Sequence, residues 1–292
     1  MGADRPDDPD MPPEDHPDRR DDRARNNPAE TRTRQEYYSE LRATVSREQS
    51  AAARQTTADE QAATEKWQER ATESRSIWTE YQRKWPPAER PSTDRSLDSA
   101  DNSRVEAECD RIARREEERI SPAIRSIESQ DPNRHLIGFD DRLKGRDRIK
   151  EKVLGTIKDF SRSPEQAVSL VPDTIRYTFQ YREAHYTQGV WTDLERLKGE
   201  GFKLHQLKNS WSDDQYKGIN TQWIEPDTGQ RFEVQFHTGI SFQAKQLTHD
   251  AYERLRTIQA DKFEQMVLGA FQAKVAADVP VPPGATDIPD YP

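Results

Sequence analysis

The clearest alternation of apolar and polar positions runs through Arg231–His237, where Phe232, Val234 and Phe236 interleave with Glu233, Gln235 and His237. A period of two predicts a strand with one face in a core and the other lined by the three polar groups. Such a face costs burial energy unless it borders a wet cleft. The Asp227-Thr228-Gly229 turn before it and the run Ser241–Arg256 after it predict a hairpin and a following helix. Further strands are expected at His135–Phe139, Thr174–Gln180, Phe202–Gln206 and Ile219–Glu225. Helices are expected at Arg146–Phe160, Tyr186–Gly199, Ser241–Thr257 and Ala260–Ala276. Helical periodicity also runs from Val105 to Ser129, with Pro122 suited to a first turn. This order predicts an α+β fold with a mixed sheet of about five strands flanked by helices.

The N-terminal part follows another pattern. Residues 1–34 hold Asp, Pro, Arg and Asn with almost no large apolar group, and read as a disordered acidic, Pro-rich tail. Residues 35–85 lose proline and read as a long helical extension, with Ile77, Trp78, Tyr81 and Trp85 on a narrow stripe that needs something to pack on. Two uses stay open: a brace docked on the main domain, or a segment that binds a protein partner such as an antitoxin or delivery factor. A polar linker covers 86–103, the main domain 104–277, and a Pro-rich tail, read as coil, 278–292.

Composition narrows the classes. Of 292 residues, 32% are hydrophobic and 34% charged, too polar for a chain packed along its whole length. The net charge of -9 argues against a surface that grips nucleic acid throughout, although a local basic patch stays open. The single cysteine, Cys109, excludes a disulfide framework and reads as inert. No apolar run reaches the ~20 residues of a membrane span, and the N-terminus lacks the apolar core of a signal peptide. The expected location is cytoplasmic, with signal-independent export left open.

Arg142 and Lys144 follow the first predicted strand, and Arg148 and Lys152 share one face of the next helix. Cations around a strand-to-helix turn beside Gly145 can cradle phosphates, though a solvated basic face needs no ligand. Asp173 and Arg176 lie on the next strand, where an edge salt bridge is the plain alternative. Tyr216, Lys217 and Asn220 surround Gly218; the ring can face a base and Lys217 a phosphate, or the segment is a simple turn.

Together, Arg-x-Lys followed by Lys152, then Asp173 and Arg176, Tyr216-Lys217-Gly218, and Glu233-Val234-Gln235 with a helix carrying His249, resemble the synthetase domain of the RelA/SpoT family over roughly Arg142–Arg256. That family has a nucleotidyltransferase-like fold and moves pyrophosphate from ATP to the 3′-hydroxyl of a guanine nucleotide. The resemblance implies that Arg142, Lys144, Arg148, Lys152 and Arg176 bind ATP. It makes Glu233, Asp173 and Gln235 catalytic, with Asp173 and Glu233 holding Mg²⁺. Tyr216, Lys217, Asn220 and His237 would meet the acceptor. Glu233 as metal ligand and Glu233 as general base are separate readings.

The chain departs from the family at several points. Asp173 stands three residues before Arg176, where the family's aspartate stands five before. Arg148 replaces a serine, Gln215 a glycine, His237 an arginine and Asn220 a histidine. No paired His-Asp hydrolase motif precedes the domain, so pyrophosphate removal is not expected. The pattern is nearer to the small single-function synthetases and their toxin relatives, some of which modify adenine nucleotides or the tRNA 3′ end. The acidic pI near 5.4 disfavours tRNA as acceptor. A nucleotide- or partner-binding module without catalysis is the alternative from another class. On the helix after Glu233, Lys245, His249 and Arg256 read as a charged surface face, with His249 as support for Glu233 in the functional version.

Overall fold

The computed structural model describes residues 58–86, 96–255 and 261–292. The expected tail 1–34, residues 35–57 of the extension, residues 87–95 of the linker, and Arg256 lie outside the described residues. Ala58–Pro292 forms one compact unit.

Helix α1 spans 58–84. Its buried stripe is Trp67, Ala71, Ser74 and Trp78, an i, i+4, i+7, i+11 series. The expected stripe is displaced: Ile77 and Trp85 are exposed, while Trp78 turns inward and stacks on Phe271 at 5.2 Å. Small side chains at Ala71 and Ser74 give close approach, which large apolar groups alone do not mark. Arg70 pairs with Asp278 and Tyr81 reaches Glu264 at 3.4 Å. The described part of the extension therefore spends its apolar face inside this unit. Among the described residues no helix is long and apolar enough to cross a membrane.

Helix α2, Ser99–Arg115, is capped by Asp98 and leads through a π turn, Glu116–Ile120, into α3, Ser121–Glu128, with Pro122 in its first turn. Cys109 is buried, and burial pushes its thiol pKa up, which keeps it protonated and unreactive. Strand β1, Arg134–Ile137, precedes α4, Arg146–Phe160, and a short α5, Pro164–Ser169, held by a capping box at Ser163. Then come β2, Arg176–Tyr181; α6, Tyr186–Gly199; β3, Lys203–Asn209; β4, Ile219–Ile224; β5, Arg231–Thr238; α7, Gly239–Leu255; and α8, Lys262–Ala277.

The five strands form one mixed sheet in the order β1-β2-β5-β4-β3, and only β2 and β5 run parallel. The α+β expectation holds. Tyr177, Phe179 and Tyr181 of β2, Phe232, Val234 and Phe236 of β5, and Ile219, Thr221 and Trp223 of β4 fill the core face. On that side Arg134 of β1 forms a fully buried ion pair with Asp193 of α6, to which Tyr181 also donates at 2.7 Å. The opposite face carries Arg176, Thr178, Asn220, Gln222, Glu233 and Gln235. The tail is irregular but not loose. Leu207 and Tyr291 exchange two backbone hydrogen bonds of 2.9 Å, Asp290 accepts from Asn209 N–H at 2.7 Å, and Ile288 is buried. These contacts close the outer edge of β3.

Candidate active site

The polar sheet face opens into a cleft of about 610 Å³ bounded by α4, α7, α8 and the loop between β3 and β4. Short pairing outside the sheet builds its first end. Lys144 N–H donates to Thr174 O at 3.0 Å and Arg176 N–H to Arg142 O at 2.8 Å, around an isolated Leu143–Ile175 bridge. This pairing brings Lys144 beside Asp173. Asp173 lies in the turn before β2, not on the strand, which starts at Arg176.

Three cations converge on the Asp173 carboxylate: Lys144 at 2.8 Å, Lys152 at 2.9 Å and Arg176 at 2.9 Å. Burial alone would raise its pKa. Hydrogen bonds from Lys144 and Lys152 and the charges of Lys144 and Arg176 outweigh this and hold it at about 2. Burial lowers the Lys144 pKa, and Asp173 opposes that shift. Arg148 lines the cleft, paired to Glu151 at 3.2 Å.

The β2–β5 register sets Arg176 opposite Glu233, and Arg176 Nε donates to Glu233 Oε2 at 2.7 Å. Gln235 Nε2 donates to Glu233 Oε1 at 2.7 Å, and Gln235 Oε1 accepts from Lys245 of α7. One continuous chain thus runs from Lys144 and Lys152 through Asp173, Arg176 and Glu233 to Gln235 and Lys245. Asp173 and Glu233 are two hard carboxylates beside a cation cradle, a donor set that fits Mg²⁺ completing its shell with water and substrate oxygens. No group of three or more His, Cys, Asp or Glu ligands stands together among the described residues.

The next row holds Thr178, Gln235 and Asn220 in register. Tyr216 Oη donates to Asn220 Oδ1 at 2.9 Å and meets His237 Nε2 at 2.8 Å, while His237 Nδ1 meets Ser241 Oγ at 2.9 Å. Burial first, and then the charge of Lys245, push the His237 pKa well below its ordinary value, so the ring is neutral. With Tyr216 donating to Asn220, the neutral ring donates Nε2–H to Oη and accepts at Nδ1, and the Ser241 hydroxyl is shared between Nδ1 and Thr238 O. Burial also raises the Tyr216 pKa and keeps the phenol protonated. Gly218 makes the arrangement fit: its φ is +151°, and a Cβ there would meet His237 Cε1 at 2.6 Å. Asn220 and His237 therefore meet at one oxygen.

Lys144, Arg148, Lys152, Asp173, Arg176, Tyr216, Asn220, Glu233 and Gln235 all line the cleft. Three expected site residues stand elsewhere. Arg142 donates to Glu116 at 2.6 Å and lies over the Phe139 ring at 4.3 Å, because the π turn swings the Glu116 carboxylate inward to meet it. Lys217 folds back onto Trp211 O and Asp213 O at 3.0 and 2.6 Å. His237 lies fully buried beneath Tyr216. His249 lines the cleft, exposed, with no bond to Glu233.

Sequence reasoning passed over Lys245, Thr248, Tyr252 and Gln272 as cleft residues. The first three share one helical face with His249, a signal present in their spacing. Gln272 of α8 carries no such signal.

No protein-family profile matches the chain, and no curated protein matches it. Solved structures do resemble it. The small alarmone synthetase 1 from Bacillus subtilis is 15% identical with a TM-score of 0.37, over 55% of this chain and 80% of that one. The same synthetase bound to its product pppGpp is 13% identical with a TM-score of 0.36, over 53% and 83%. A GTP pyrophosphokinase family protein from Streptococcus pneumoniae is 14% identical with a TM-score of 0.37, over 53% and 78%.

Proposed function

We propose that this protein transfers pyrophosphate from ATP to the 3′-hydroxyl of a nucleotide, with Mg²⁺, in the manner of the small alarmone synthetases. The observation that carries the reading is the cleft's chain of alternating charge, Lys144 and Lys152 to Asp173 to Arg176 to Glu233. Its cations suit a triphosphate, and its carboxylates suit the metal that a triphosphate brings. In this reading the acceptor oxygen attacks the β-phosphorus of ATP. The bond from that phosphorus to the α,β-bridging oxygen breaks, and AMP leaves.

The transition state is loose, so most of the catalysis is positioning and charge neutralisation. Lys144, Lys152 and Arg176 turn from Asp173 towards phosphate oxygens. Asp173 and Glu233 would hold Mg²⁺, which when bound neutralises phosphate charge. Where Asp173 alone holds the metal, Glu233 is instead free to take the proton released by the attacking hydroxyl. Tyr216 offers its ring to the acceptor base while its hydroxyl stays fixed below.

The test is incubation with labelled ATP and Mg²⁺ and, separately, GDP, GTP, AMP, ADP, further ATP or tRNA. AMP released together with label on one acceptor is the expected result and names that acceptor. Folded protein that binds ATP and yields no AMP with any of them leaves a binding module, the reading that the altered Asp173 spacing favours.

A further inference from the structure

Six Lys and Arg side chains line the cleft; with exposed Lys208 set aside, the other five are paired in two different ways. Lys144, Lys152 and Arg176 each bond to Asp173, and Arg148 bonds to Glu151. Lys245 differs, because its ammonium donates to a neutral amide oxygen, Gln235 Oε1, and lies 5.3 Å from the Phe242 ring centroid. No carboxylate among the described residues forms an ion pair with it. Burial and the charge of Arg176 bring its pKa down to about 8, and Glu233 only partly offsets them. An ammonium removed from water without an anion beside it is costly. Such a group suits a site where an anion arrives with a ligand.

The register says which end of the cleft this is. Gln235 pairs with Asn220 on β4, and Asn220 holds the Tyr216 hydroxyl. Lys245 therefore stands on the far side of Glu233 from the Asp173 cradle, beside the tyrosine loop. We infer that Lys245 anchors a phosphate of the acceptor nucleotide, so that the enzyme selects a phosphorylated acceptor over the bare nucleoside. The inference rests on the proposed reaction only for the identity of the occupant. A lysine is a compact point charge, suited to a phosphate and indifferent to the base.

The experiment holds the donor end filled with α,β-methylene-ATP and compares binding of GDP with guanosine, and of ADP with adenosine. The proteins are the natural chain, Lys245→Met and Lys245→Arg. In the natural chain one diphosphate binds more tightly than its nucleoside. Lys245→Met reduces that preference roughly tenfold to a hundredfold, as expected for one charged hydrogen bond, and Lys245→Arg retains it. Retained binding of α,β-methylene-ATP shows that each variant is folded. An unchanged preference in Lys245→Met, or no preference in the natural chain, overturns the inference. Failure to form AMP, with the Lys245-dependent preference intact, instead removes the transfer reaction and leaves the anchor standing.

Discussion

The two ends of the cleft are held by different physics. Around Asp173 three cations share one carboxylate, and geometry follows from charge. Around Tyr216 a neutral relay, Ser241 to His237 to Tyr216 to Asn220, fixes a ring by hydrogen-bond direction and by space that only Gly218 leaves. A charge cluster can re-form around an incoming phosphate, because Coulomb attraction tolerates displacement. A directional relay cannot, so it suits the recognition of a flat base. The difference teaches that, in the proposed reaction, one end would rearrange on binding and the other would stay fixed.

The largest effect should come where the ends meet. Glu233→Gln is expected to lower AMP release by about two to four orders of magnitude while ATP binding persists; equal activity in a discontinuous assay would separate Glu233 from the chemistry. Next, Gly218→Ala drives a methyl into His237 and forces strain of about 1–3 kcal/mol. It should raise the acceptor KM several-fold and leave the ATP KM alone, whereas a joint rise would mean that the ends are not independent.

Asp173→Asn attacks the charged end. The Asp173 carboxyl titrates at about 2, below its ordinary 3.8, so it adds stability above about pH 4 that is lost as pH falls towards 2. The natural chain should lead the variant by on the order of 2 kcal/mol at neutral pH. Urea unfolding between neutral and acid pH should show that lead shrinking across this window.

The smallest effect is the pH dependence at Lys245, which faces Arg176, Glu233, the neutral His237 and, on its own helix, His249. Its amine is charged below about pH 8. Diphosphate preference should therefore fall by less than tenfold per pH unit above that value. The same titration of Lys245→Met should be flat.

Much of this was legible in the chain. The alternation through Phe232–His237 gave β5 and its polar face, and helical periodicity placed Arg146–Phe160 and Tyr186–Gly199 at their observed limits. What stayed hidden depends on contacts between distant elements. Arg142 reads as a phosphate ligand until the π turn brings Glu116 to it. Lys245 reads as surface until α7 is laid across β5. Trp67, Ala71, Ser74 and Trp78 become a stripe only once Phe271 of α8 is there to receive it.

The strap at Asp290 and Tyr291 has a consequence for the order in which the molecule is assembled. Asn209 is tied to Asp290 across a separation of 81 residues, and its side chain also donates to Ala285 O and Ile288 O while accepting from Trp211 N–H. Contacts that distant carry a large loop-closure cost and form after local ones. On this ground the segment that leads to Tyr216 is expected to set after the Asp173 cluster, whose contacts with Lys152 and Arg176 span 21 and three residues.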